Sequence, residues 1–306
     1  MSDTPAGSMN ARQTQLLALA GDLRPELHRY CSRLMGSVIE GEDVVQDTFV
    51  RAFVALEDPQ DMPSLRRWLF RIAHNRALDL LRTRTVRTAE PLETAYEVAD
   101  LASPDPLEIL VSKEAIGTAV SRFAELSVLQ RSVVILKDVL GESLTDIGTL
   151  LDLSLDAVKG HLARGRSQLR EVNARAAQLP EVRPASGAIA HYVALFNVRD
   201  WEGLRALLAD DVRLVQSSHP PRVGRANVGM FFTIYSKKDP VWLAPAWLEG
   251  REVIAVFEDR GDPKPSYLMS VEWRDGRISF IRDYCYVRYV IADAELTLSV
   301  DPGGGS

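Results

Sequence analysis

The 306-residue chain is predicted to hold two all-α helical domains followed by an α+β domain. Three observations carry that expectation. Apolar residues recur every three to four positions through much of residues 13–172. A basic helix-turn-helix pattern lies at Leu144–Arg170. From Ala188 onward two helical stretches give way to short strand-like runs, the order of an α+β fold. The expected divisions are helical domains at 13–84 and 113–172 joined by an acidic linker over 85–112, a second linker at 173–186, and the α+β domain at 187–300.

Composition narrows the function classes. The chain is 46% hydrophobic and 25% charged, as in soluble globular proteins. No apolar run approaches the roughly 18 residues of a membrane span, and Met1-Ser2-Asp3-Thr4-Pro5 has neither the basic nor the apolar part of a signal peptide. A cytoplasmic protein with no membrane partner is expected. Cys31 and Cys285 are the two cysteines, which excludes a disulfide framework and a Cys-rich zinc site. The net charge of −6 is unusual for a nucleic-acid binder. The cations are clustered, however, and a protein that touches DNA within a larger complex need not be basic overall.

In the first helical block, Leu16, Leu17, Leu19, Leu23, Leu27, Tyr30 and Leu34 share helical spacing, with Pro25 where a helix can restart. Over Gly41–Phe53, Val45, Phe49 and Phe53 repeat every four residues and should face the core. Asp43, Asp47 and Arg51 form a second line along that helix. The line suits docking onto a basic partner helix; it also suits a solvated face with an internal Asp47–Arg51 pair. After a loop at 57–63 and a Ser64 cap, the helix Leu65–Arg84 is expected to bury Leu65, Trp68, Leu69, Ile72, Leu80 and Leu81. Its outward residues are then Arg66, Arg67, Arg71, His74, Asn75, Arg76, Arg82 and Arg84. Cations that track phosphates beside planar groups that stack on bases suit single-stranded DNA. A solvated basic face is the alternative.

The linker at 85–112 carries Glu90, Glu93, Glu97, Asp100, Asp105 and Glu108 among prolines, the composition of a flexible acidic tether. Helical spacing returns from Pro106, Gly141 is expected to end one helix and Ser143 to cap the next. Leu144, Ile147, Leu150 and Leu151 then form one buried face, Asp152-Leu153 is the turn, and Ser154 is the next N-cap. The second helix should bury Leu155, Val158, Leu162 and Leu169 and turn Lys159, His161, Arg164 and Arg166 outward. That is the pattern of a helix read into the DNA major groove, or of a plain helical hairpin with a basic face.

The pattern Asp-x-x-Gln-Asp-x-Phe-x-x-Ala-Phe, realised as Asp43, Gln46, Asp47, Phe49, Ala52 and Phe53, resembles region 2 of the group IV, extracytoplasmic-function (ECF) sigma factors of the sigma-70 family. So does the block from Arg67-Trp68-Leu69 through His74-Asn75 to Arg82. Residues 157–166, Ala-Val-Lys-Gly-His-Leu-Ala-Arg-Gly-Arg, are similar to the region 4 recognition helix. Ala157, Gly160, His161 and Gly165 depart from its commoner Thr, Ser, Arg and Ala. The resemblance implies binding to the beta and beta-prime subunits of core RNA polymerase through Asp43, Gln46, Asp47 and Arg51. It implies that Arg66, Arg67, Arg71, His74, Asn75 and Arg82 hold the melted minus-10 strand. It implies that Ser154, Lys159, His161, Arg164 and Arg166 meet the minus-35 duplex. Transcription initiation would then need no catalytic residue, cofactor or metal from this chain, the chemistry belonging to the polymerase.

In the third block, helices are expected at Ala188–Phe196 and Asp200–Leu208. Strands are expected at Val212–Val215, Arg251–Phe257, Ser266–Trp273 and Arg277–Val290 in a curled antiparallel sheet. Asp275-Gly276 is a strong hairpin signal. The phrases Phe196–Trp201, Leu208–Val212 and Gly276–Tyr284 resemble a SnoaL-like domain of the cone-shaped NTF2-like fold. Relatives of that fold hold an apolar pocket, and some are enzymes. His191, Tyr235, Trp247 and Asp283, with His219 and Tyr284, are the candidates to line one here, against plain packing and surface roles. The domain is expected to regulate in cis, with a small-molecule ligand or a protein regulator as its partner. The competing reading is a polymerase-independent helix-turn-helix regulator that senses a small molecule through this domain.

Overall fold

The computed structural model describes residues 11–55, 65–88, 115, 117–175, 183–217, 219–237, 241–259 and 261–299. The chain divides into two compact units, 1–177 and 178–306. The expected loop at 57–63, the Ser64 cap and nearly all of the acidic linker lie outside the described residues.

The described part of the first unit is helical. Helix α1 (Ala11–Met35) runs through Pro25 without a break, so the expected restart there does not occur. Helix α2 (Val38–Ala55) buries Val44, Val45, Phe49 and Ala52. In helix α3 (Leu65–Thr88) the buried stripe is Leu69, Phe70, Ala73, His74 and Ala77. Trp68, Ile72, Leu80 and Leu81, expected at its centre, form the half-buried rim. A 3-10 turn at Val120–Glu125 leads to α4 (Val128–Val134), which opens on a capping box between Ser127 and Gln130. α4 continues as a π-helical turn, Ile135–Val139, and stops at Gly141, whose φ of 76° closes the helix as expected. Helix α5 (Leu144–Leu151) starts at the Ser143 cap and ends on Asp152, which adopts the left-handed φ of 57°. Helix α6 (Leu155–Arg175) follows.

Among the described residues a single apolar cluster passes through α1 to α6. It includes Leu27 and Leu34 of α1, Val45 of α2, Leu69 of α3, Val133 of α4, Ile147 of α5 and Val158 of α6. The two predicted helical segments thus share one core.

The second unit opens with α7 (Gly187–Asn197), capped by Ser186, and α8 (Trp201–Ala206), capped by Asp200. A seven-stranded sheet follows in the order β2-β1-β6-β5-β4-β3-β7. Its strands are β1 (Leu208–Gln216), β2 (Arg222–Val223), β3 (Trp242–Leu248), β4 (Arg251–Phe257), β5 (Tyr267–Arg274), β6 (Arg277–Asp283) and β7 (Leu296–Leu298). Helix α9 (Arg225–Tyr235) lies between β2 and β3 in sequence. The core joins Tyr192 and Phe196 of α7 and Phe231, Phe232 and Tyr235 of α9 to Ile254, Met269 and Ile281 of the sheet.

This is the expected α+β order, with differences. β1 pairs with β6 in parallel, so the sheet is mixed rather than antiparallel. β6 ends at Asp283, well short of Val290. Asp275 (φ 52°) and Gly276 (φ 72°) make the tight turn from β5 to β6, both in the positive-φ region that a type I′ turn needs. Helix α9 and strand β3 were not anticipated. Met230 and Ile234 leave α9 53% and 45% exposed while Phe231 and Phe232 are buried, which blurs the helical period. Pro245 interrupts the strand pattern of β3.

Candidate nucleic-acid interface

The helix-turn-helix is built as its residues suggest. Ser154 Oγ accepts the backbone N–H of Ala157 at 3.2 Å, satisfying one of the free donors at the start of α6. Val158, Leu162 and Leu169 are buried; Leu155, expected with them, is 47% exposed. Leu155 is the first residue of α6, and it turns past the edge of the core. Gly160 and Gly165 are buried as well. At Gly165 a Cβ would stand 2.7 Å from Val134 Cγ2, so α6 meets α4 at a distance only glycine permits.

The four side chains expected to face outward separate into two kinds. Lys159, His161 and Arg164 are half-buried on the α6 surface. Burial, and then the charge of Arg164, hold the His161 imidazole below its usual pKa, so it is neutral at pH 7. Arg166 is different and corrects the expectation of a DNA-facing side chain. It donates from Nε and Nη2 to the two oxygens of Asp138, at 2.9 and 2.6 Å, against a carboxylate that is itself buried.

On α3 the expected set also divides. Arg71, Asn75 and Arg82 are exposed. His74 is buried, because one residue per turn of the helix points into the α1–α3 contact and position 74 is on that line. Its Nδ1 lies 2.8 Å from the Tyr30 hydroxyl, and burial, with a lesser contribution from Arg82, pushes its pKa down to about 4. Arg66 is ion-paired with Glu26 and Glu142, which raise its pKa, the Glu26 hydrogen bond foremost. Arg67 donates to Asp146 at 2.9 Å.

Asp43, Gln46 and Asp47 are half-buried on α2, and Arg51 is exposed. Asp47 accepts from Arg51 at 3.2 Å and also pairs with Arg76 of α3. The line of carboxylates is therefore partly enlisted in holding α2 to α3.

Sequence reasoning passed over Arg131. It is 5% exposed, donating to the carbonyls of Leu34 at 2.5 Å, Ala124 at 2.7 Å and Leu126 at 3.0 Å. Burial, with a smaller effect from Arg84, lowers its pKa to about 10, which leaves it charged at pH 7. No spacing rule links positions 34 and 131; an arginine amid the apolar run of α4 was the available signal.

In the second unit the four candidate pocket residues do not converge. His191 is exposed on α7 and Trp247 is half-buried on β3. Tyr235 and Asp283 do meet, at 3.4 Å between the hydroxyl and Oδ2. Tyr235 also shares a 2.6 Å hydrogen bond with Tyr267, and Gln216 Nε2 donates to Asp283 at 2.7 Å. Burial first, then the Asp283 charge, raise the pKa of both tyrosines. Asp283 is thus the centre of a buried hydrogen-bonded nest. The nest joins the candidates Tyr235 and Asp283 to Tyr267 and Gln216, which lie on other strands and which the sequence pattern did not single out.

Outward basic side chains on a capped helix-turn-helix, joined through one core to an arginine-bearing helix, mark the helical body, which an α+β unit follows in sequence. Residues 19–87 match the family model of Sigma-70 region 2, and residues 119–169 match that of Sigma-70, region 4. SigW of Bacillus subtilis, an ECF RNA polymerase sigma factor, is 32% identical over 158 residues, which span 48% of this chain and 83% of SigW. The chain belongs to the ECF RNA polymerase sigma factors. The ECF sigma factor SigG of Mycobacterium tuberculosis is 34% identical over 206 residues, 59% of this chain. The chain spans about half the length of SigG, 55%. The chain is also similar to the crystal structure of an NTF-2 like protein from Burkholderia xenovorans, with 14% identity, a TM-score of 0.26, and coverage of 38% of this chain and 85% of that one.

Proposed function

We propose that this chain directs transcription initiation: it joins core RNA polymerase and recognises promoter DNA at two sites. The observation that carries the reading is the pair of matched segments, 19–87 and 119–169, in that order, each bearing outward cations. In this reading Arg71, Asn75 and Arg82, exposed on α3, follow a melted minus-10 strand, with Arg66 and Arg67 beside them; their exposure supports it. In the same reading Lys159, His161 and Arg164, half-buried on α6, meet the minus-35 duplex. A charged arginine or lysine to guanine specifies sequence, and the remaining cations hold phosphates. Neutral His161 contributes as a hydrogen-bonding group rather than as a charge. Asp43, Gln46, Asp47 and Arg51 are the contact to the polymerase. The second unit regulates activity in cis.

The test is promoter-dependent transcription with purified core polymerase. The chain should support it, and Asp43→Arg/Asp47→Arg should abolish both co-purification with the polymerase and transcription. A chain that binds duplex DNA alone and never joins the polymerase would instead be a free-standing regulator. Truncation near Pro184 should change transcription; unchanged activity and DNA affinity would sink control in cis.

A further inference from the structure

Arg66 and Arg67 lie in the first turn of α3, the helix read above as the holder of the melted strand; Glu142, just before α5, and Asp146, within it, engage them, and Glu26 of α1 engages Arg66 as well. The placement of those carboxylates is deliberate in the local structure. The π turn at Ile135–Val139 and the positive φ of Gly141 bring Glu142 round so that its N–H donates to the Leu136 carbonyl at 2.9 Å and its side chain reaches Arg66. Asp146 is the third residue of α5, where its N–H donates to Ser143 Oγ at 3.1 Å and one carboxylate oxygen accepts from that hydroxyl at 2.6 Å. The other oxygen lies 2.9 Å from Arg67 Nη2.

Around these pairs is a cleft of about 200 Å³ between α3 and α5, walled by Arg66, Arg67, Phe70, Leu136, Glu142 and Asp146. The Arg66 guanidinium stands 4.9 Å from the centre of the Phe70 ring. A guanidinium offers carboxylate and phosphate the same parallel donors, so the two anions compete for it directly.

We propose that Glu142 and Asp146 form an acidic latch that engages Arg66, which Glu26 of α1 also holds, and Arg67, and so weakens their grip on single-stranded DNA until α3 and α5 part. This rests on the reading of α3 as the strand-holding helix. The chemistry suits a reversible device. The side chains of the Arg67–Asp146 pair are 46% and 45% exposed, those of the Arg66–Glu142 pair 39% and 20%. Pairs so exposed change an equilibrium by only about two- to fivefold each. A strand offering several phosphates can displace them, and a solitary phosphate cannot.

Binding of a short fluorescein-labelled mixed-sequence single strand to the full chain, followed by anisotropy, tests the latch. Glu142→Gln/Asp146→Asn should tighten binding about threefold, because Arg67 loses its carboxylate while Arg66 keeps its Glu26 partner. In an Arg66→Ala/Arg67→Ala background the same substitutions should change nothing. No tightening overturns the latch, and so does equal tightening in both backgrounds, which would be a general charge effect. Glu142→Gln alone, which leaves the Ser143–Asp146 cap untouched, should give the smaller share of the logarithmic gain, because Glu26 still holds Arg66. Transcription by the wild-type chain with core polymerase is read in parallel. Its absence would remove the sigma reading, while the coupling between carboxylates and arginines is decided by anisotropy alone.

Discussion

Arg166 and Asp138 form a two-bond ion pair 28 residues apart in sequence, with the carboxylate side chain 1% exposed and the guanidinium 16%. The pair ties α6 to the π turn that follows α4. A cation that sequence similarity places in the DNA interface is thereby a component of the fold.

Arg166→Ala should therefore destabilise the first unit by about 3 kcal/mol, because it removes a two-bond partner from a buried carboxylate. Lys159→Ala should leave stability within about 0.5 kcal/mol of wild type and lower the salt dependence of duplex binding by about one phosphate contact. Urea denaturation and binding isotherms at several salt concentrations check both. Equal stability losses at the two positions would contradict the division.

His74 sets a pH dependence. Its pKa falls from 6.5 in the unfolded chain to about 4 in the fold, so below pH 6.5 the unfolded chain binds the extra proton first. The stability contributed by neutral His74 is full above pH 6.5 and is lost as pH falls towards 4. The total is about 3 kcal/mol, at 1.36 kcal/mol per pKa unit. Denaturation midpoints measured between pH 7 and pH 4 should fall more steeply for the wild type than for His74→Phe.

Arg131→Met should cost about 3 kcal/mol, since the carbonyls of Leu34, Ala124 and Leu126 lose a charged donor in a buried site. Hydrogen exchange should report faster opening at the last turn of α1, where Leu34 lies. Arg131→Lys should recover part of the loss, because a single ammonium cannot reach all three oxygens in one plane.

Gly165→Ala should destabilise by about 1–2 kcal/mol, although alanine is the better helix former by about 1 kcal/mol. The added methyl would meet Val134 Cγ2 at 2.7 Å and the Gln130 carbonyl at 3.2 Å. Val134 is β-branched and cannot easily rotate away. Combining Gly165→Ala with Val134→Ala should recover much of the loss, a coupling that thermal unfolding of the single and double variants can read.

Much of the fold was legible because local rules and tertiary demands agree. The limits of α5 at Leu144–Leu151, the Ser143 and Ser154 caps, strand β4 at Arg251–Phe257 and the Asp275-Gly276 turn follow from spacing and turn chemistry alone. α9 and β3 were not legible, because Met230, Ile234 and Pro245 contradict the periods of the elements that contain them.

By itself the sequence determined the order of helical and mixed parts, the two sigma segments and the types of residue able to meet DNA or polymerase. Periodicity, caps and motif spacing are properties of neighbours in the chain, and they need no partner from elsewhere. The tertiary structure alone decided which cations are available: His74 is sealed against Tyr30, Arg166 is held by Asp138, and Arg66 and Arg67 are engaged by Glu142 and Asp146. The physical reason is that burial and ion pairing are made between residues tens of positions apart, and the core shared by α1 to α6 brings those positions together.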